Sequence, residues 1–83
     1  MVVIKLKDSS FTKIEVAKRG MSFRQFAESV GISHSYLSQV MNKKRNPSAR
    51  VALKISQSLD FEMQDIFLIT NVAKDNPPEY IKN

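Results

Sequence analysis

The chain has 83 residues, no cysteine, 42% apolar residues and a formal net charge of +5. A domain of this size buries only about 60% of its unfolded surface, which leaves material for one compact core and excludes a second. The missing cysteines exclude disulfides and thiolate metal sites, and no apolar run approaches the roughly 20 residues that span a bilayer.

Residues 1–7 form an N-terminal extension in which Val2, Ile4 and Leu6 alternate weakly with Val3, Lys5 and Lys7, the pattern of a short strand. They lack the basic-then-apolar order of a secretory signal, so the expected location is the cytoplasm. From Ser9 or Ser10 the pattern turns helical: Phe11, Ile14 and Ala17 recur at threes, and Gly20 stops the run. Ser22-Phe23-Arg24-Gln25 fits a capping box, opening a second helix with Phe23, Phe26, Ala27 and Val30 on one face and Gly31 at its end. Ser33 caps a third helix, with Leu37, Val40 and Met41 inward, and Asn42 to Asn46 is a polar, basic loop. Pro47-Ser48 opens a fourth helix in which Ala52, Ile55 and Leu59 fall at helical spacing. A fifth, shorter helix is expected around Met63 to Ile69. The tail, residues 71–83, holds Pro77-Pro78 and is expected to be extended or loosely ordered. Five short helices around one core predict an all-α bundle, with the domain proper at 8–70 and a short N-terminal strand as an addition.

Charge is distributed unevenly. No Asp or Glu occurs from Ser29 to Leu59, while Lys43, Lys44, Arg45, Arg50 and Lys54 lie there and account for the whole excess. Such a block suits phosphate, because cations that neutralise phosphates release condensed counterions; a merely solvated basic face is the competing reading.

The segment 22–42 reads as two helices joined by a tight turn. Ala27 lets the second helix approach closely, Gly31 takes a position that favours φ > 0, Ile32 fills the space below, and Leu37 and Val40 plug into the core. With that face inward, His34, Ser35, Ser38, Gln39 and Asn42 form an outward stripe, all uncharged and all able to hydrogen-bond. An ordinary solvent face carries Lys and Glu; this one suits base edges in a groove, where Gln39 can pair bidentately with adenine and the serines can serve any base. The basic loop follows at once, placed to grip a phosphate backbone.

Ile32-Ser33-His34-Ser35-Tyr36-Leu37-Ser38-Gln39-Val40, followed by Lys44-Arg45-Asn46-Pro47-Ser48, resembles the lambda-repressor and Cro-like helix-turn-helix family, also called the Xre family. The likeness covers roughly residues 21 to 68. It implies a five-helix DNA-binding fold, usually homodimeric, with the third helix in the major groove of double-stranded DNA. By position it assigns base contacts to His34, Ser35 and Gln39, with Ser38 on the same stripe. Phosphate contacts fall to Ser22, Phe23 and Arg24 at the start of the second helix, and to Asn42, Lys43, Lys44, Arg45 and Asn46 in the loop. Lys43 stands where the family often has a glycine, and Met41 where glutamate is common. The implied role is a transcriptional regulator, a repressor in sign, acting on a short palindromic operator in the cytoplasm of a prokaryote, on the nucleoid or phage-encoded.

Other readings are bland or excluded. His34 is the only histidine, so a metal site lacks ligands, and two glycines cannot build a phosphate loop or a nucleophile elbow. No enzyme activity, cofactor, small-molecule ligand or membrane is expected. Tyr36 is either a phosphate ligand through its hydroxyl or half-buried packing. Ile69, Val72, Tyr80 and Ile81 are apolar residues that the helix-turn-helix does not need; they are the expected dimer surface, with the edge of the strand at 2–6 as competitor. The alternative functions are a protein-interaction module such as an antitoxin, and an architectural or excision factor.

Overall fold

In the computed structural model, which describes residues 1–71, strand β1 (Val2–Leu6) opens the chain and leads into five helices. These are α1 (Ser9–Lys18), α2 (Phe23–Val30), α3 (His34–Met41), α4 (Ala49–Ser58) and the single turn α5 (Met63–Ile66), followed by strand β2 (Phe67–Asn71). β2 pairs antiparallel with β1, from Val2 opposite Asn71 to Leu6 opposite Phe67, and the ladder continues with Lys7 N donating to the Ile66 carbonyl at 3.0 Å. The expected strand is therefore present, and it has a partner that the all-helical expectation lacked.

The fifth helix was expected to reach Ile69, and it does not. Phe67 already has extended angles (φ −124°, ψ 149°), because β1 offers the backbone partners that a longer helix would otherwise supply internally. The run Phe-Leu-Ile-Thr then takes the alternation of a strand at its start, with Phe67 buried and Leu68 exposed.

Helix α1 also turns a different face inward from the one its spacing suggested. Phe11, Ile14 and Ala17 face outward, and Ile14 is 57% exposed; the buried stripe is Thr12, Glu15 and Val16. The polar members of that stripe are satisfied. Thr12 Oγ1 donates to the Asp8 carbonyl at 3.0 Å, and Glu15 accepts from Arg19 at 3.0 Å and Lys18 at 3.2 Å. Phe11 finds an edge-to-face partner in Phe61, with ring centres 5.5 Å apart. Arg19 reaches further, donating to the Leu59 carbonyl and so tying the ends of α1 and α4 together.

Phe26, Leu37, Ile55, Leu59 and Phe67 are wholly buried at the centre, with Ile4 and Leu6 of β1 in the same cluster. Each such side chain contributes about 1.5–3 kcal/mol relative to exposure. Residues 72–83, and with them most of the expected tail and the candidates Val72, Tyr80 and Ile81, lie outside the described residues.

Candidate nucleic-acid interface

The orientation of α3 is set by how α2 ends. Ser22 and Gln25 form the full capping box, Gln25 N to Ser22 Oγ at 3.1 Å and Ser22 N to Gln25 Oε1 at 2.9 Å. At the other end Gly31 is left-handed (φ +86°), so that Ile32 N reaches the Ala27 carbonyl at 3.0 Å and Gly31 N the Glu28 carbonyl at 3.1 Å. This Schellman closure reverses the chain within one residue. Ser33 then caps α3 through Tyr36 N at 3.0 Å. Leu37, Val40 and Met41 are buried, which leaves His34, Ser35, Gln39 and Asn42 exposed and Ser38 half-exposed along one side. The expected uncharged stripe is thus an actual surface of the helix.

The loop after α3 begins with the same closure. Lys43 N donates to the Val40 carbonyl at 3.1 Å and Lys44 N to the Gln39 carbonyl at 2.9 Å, with Lys43 itself left-handed at φ +60°. The lysine occupies the glycine-like conformation rather than forcing a different loop. That conformation costs an L residue roughly 1–2 kcal/mol. The Lys43 ammonium makes one compensating contact, donating to the Lys7 carbonyl at 3.2 Å. Further along, the Arg45 guanidinium lies over the Tyr36 ring, and Ser48 N donates to the Tyr36 hydroxyl at 3.4 Å. Tyr36 is half-buried, yet its hydroxyl is used only as an acceptor among the described residues, so its own proton can still be donated. Asn42, Lys44, Arg45 and Asn46 are exposed, and Asn42 Nδ2 lies 3.5 Å from Ser38 Oγ.

At the start of α2 the capping box uses the Ser22 amide as a donor and the Ser22 hydroxyl as an acceptor, so the hydroxyl proton can still be donated. The other open donors of that first turn are the amides of Phe23 and Arg24 together with the exposed Arg24 side chain, an arrangement that favours an anion. Phe23 itself packs its ring against the core.

Two cationic placements lie outside the contact residues assigned from the sequence, although Lys54 belongs to the basic block named there. The Lys54 ammonium sits at the turn, 3.9 Å from where a Cβ on Gly31 would lie. A groove of about 530 Å³ separates β1 from the loop, with Lys5 and Lys7 on one side and Lys43 and Arg45 on the other. Only the alternation of β1 pointed to its lysines, as solvent-side residues. Among the described residues no cluster of His, Asp or Glu has the make-up to hold a metal ion, and no helix is long and apolar enough to cross a membrane.

The helix-turn-helix family matches residues 13–66 of this chain. Uncharacterised HTH-type transcriptional regulators from two strains of Mycobacterium tuberculosis, CDC 1551 / Oshkosh and ATCC 25618 / H37Rv, are each 28% identical over 74 residues, which is 89% of this chain and 53% of theirs. The chain therefore spans about half the length of these curated relatives. Its fold is similar to that of the clp gene regulator ClgR from Corynebacterium glutamicum, with a TM-score of 0.60 over 69% of this chain and 61% of that one, at 21% identity.

Proposed function

Because the chain belongs to the lambda-repressor-like helix-turn-helix family, we propose that it is a DNA-binding transcriptional regulator that reads a specific duplex site with α3 in the major groove. The observation that carries this reading is the uncharged, hydrogen-bonding side of α3 beside an acid-free basic loop. Gln39 pairs with an adenine edge, and His34, Ser35 and Ser38 read neighbouring bases. Lys43, Lys44 and Arg45, with Asn42 and Asn46, hold one phosphate strand; Ser22, Phe23 and Arg24 hold another at the start of α2, and Tyr36 donates its hydroxyl proton to a phosphate between them. Repression is the sign we infer, since a domain lying in the major groove of its site excludes other proteins from it.

One module of this kind buries roughly 600–1,000 Å² on DNA, which is modest for selecting a single site in a genome. A two-fold dimer over an inverted repeat, with half-sites about 34–36 Å apart, supplies the rest. Selection of bound duplexes from a random pool tests both statements. The expected product is an inverted repeat of short half-sites one helical turn apart. A pool that shows no enrichment would overturn the reading, in favour of an architectural factor if duplex is still retained and of a protein-interaction module if none is.

A further inference from the structure

We propose that β1 is part of the DNA-binding surface: the groove between β1 and the α3–α4 loop holds the sugar–phosphate strand that flanks the bases read by α3. This rests on the proposed function and extends its interface beyond the helix-turn-helix. Four cations, Lys5, Lys7, Lys43 and Arg45, line the groove, and no carboxylate does. Gathering like charges around one hollow destabilises the free protein through self-repulsion, and a polyanion relieves it. The two sides of the groove are physically joined, since the Lys43 ammonium donates to the Lys7 carbonyl at 3.2 Å. The Lys7 ammonium is itself held on the Gln64 carbonyl, so its position is fixed. The Lys5 ammonium has no hydrogen-bond or ion-pair partner among the described residues and is exposed, which makes it the cation most open to a ligand.

The groove is also lined by Leu68, which stands opposite Lys5 in the strand register and is 51% exposed. An exposed apolar side chain set among cations fits a nucleic-acid backbone, whose deoxyribose faces are apolar and whose phosphates point outward. An acidic peptide has similar chemistry. The duplex is favoured because Lys43 and Arg45 belong to the loop that directly follows the base-reading helix, within the acid-free segment from Ser29 to Leu59. A strand gripped there continues the one gripped by the loop.

The test measures duplex affinity against salt for the wild type, Lys5→Ala and Lys5→Glu, on the selected site and on random sequence. Each phosphate contact adds about 0.9 to the magnitude of the slope of log affinity on log salt, which at 0.1 M salt corresponds to about an eightfold change in affinity. The expected result is a shallower slope and binding weakened about five- to tenfold by Lys5→Ala and further by Lys5→Glu, equally on both duplexes, with an unchanged thermal midpoint. Phosphate ethylation interference should lose one position outside the half-site. Wild-type affinity and slope in Lys5→Glu would overturn the groove as a DNA site and leave the acidic peptide as its ligand, while base reading by α3 would stand. A wild type that binds no duplex would overturn both.

Discussion

The guanidinium of Arg45 lies 4.8 Å from the centre of the Tyr36 ring, so an aromatic residue on α3 carries a cation of the loop that follows. The same side chain accepts a hydrogen bond from Ser48 N, where α4 is capped. Tyr36 thus holds the loop at two points, and the direction of Arg45 depends on α3.

An exposed cation–π pair contributes about 0.5–1 kcal/mol. Tyr36→Ala should therefore weaken duplex binding on all sequences alike, and its effect should not add to that of Arg45→Ala. A double-mutant cycle is expected to show a coupling of about that size. Tyr36→Phe, which keeps the ring but removes the acceptor, should retain the coupling. Strictly additive losses would mean that Arg45 is oriented by something else.

The conformation at Gly31 predicts a stability effect that is not steric. A Cβ there would meet nothing but the Lys54 ammonium at 3.9 Å, so the cost of substitution lies in the left-handed backbone. Gly31→Ala should destabilise the domain by about 1–2 kcal/mol and Gly31→Val by more, with Gly31→Asn mildest. Asp60 occupies the equivalent position after α4, with φ +62° and Phe61 N on the Ser56 carbonyl at 3.0 Å. Asp60→Gly should accordingly raise the thermal midpoint while Gly31→Val lowers it, by several degrees per kcal/mol in a domain of this size. Equal midpoints across the Gly31 series would refute the conformational account.

Those three closures also show what sequence reasoning could and could not see. Ser22, Gln25, Gly31 and Ser33 each act through chemistry peculiar to their residue type, so the turn and the outward side of α3 were readable in advance. Lys43 and Asp60 adopt the same left-handed conformation without being glycine, because the packing of the flanking helices decides it. The inward face of α1 was misread for a related reason: Glu15 becomes buried only because Arg19 and Lys18 accompany it, while Phe11 stays outside against Phe61. β2 was missed because Phe67 to Thr70 suits a helix or a strand by composition. Its decisive partner, β1, lies at the other end of the described chain. The cations of the groove were unreadable as a group, since only that pairing brings Lys5 near Lys43.

Glu15 predicts a pH dependence. The hydrogen bond from Arg19, with a second from Lys18, holds its carboxyl below the ordinary value of 4.5. A group whose folded pKa is depressed stabilises the fold fully above its unfolded value and loses that contribution as pH falls through the folded one. Stability should therefore decline below about pH 4.5, the ordinary value, and Glu15→Gln should flatten that acid limb. Urea unfolding at a series of pH values measures it. An identical acid limb in the variant would assign the decline to other carboxylates.

Gln39 separates base reading from backbone binding. A good bidentate pair to a base discriminates by about 1–3 kcal/mol. Gln39→Ala should cost that much on the selected site and leave random-sequence affinity and the salt slope unchanged. An equal loss on both duplexes would make Gln39 a backbone or folding residue.

The dimer prediction turns on the sheet. Ile69 stands opposite Ile4 in the register, and cross-strand partners share a face, yet Ile4 is buried and Ile69 is 43% exposed. Val2, two residues from Ile4 and so on that same face, is 62% exposed. The ribbon therefore runs past the core, carrying apolar side chains into solvent at its far end. A second copy seated there would cover them, consistent with a dimer surface built from β2 and the chain beyond it. Ile69→Lys should lower the mass in solution toward that of a monomer and replace the single gel-shift band on an inverted repeat by two weaker, stepwise ones. Binding to one half-site should be unaffected, since strand alternation puts Ile69 on the opposite face of the ribbon from Lys5 and Leu68, which line the groove. Removing residues 72–83 tests the other part of the surface. If both variants keep the dimer mass and full affinity for the repeat, the surface lies elsewhere; if the wild type is a monomer on a single asymmetric site, the dimer itself is ruled out.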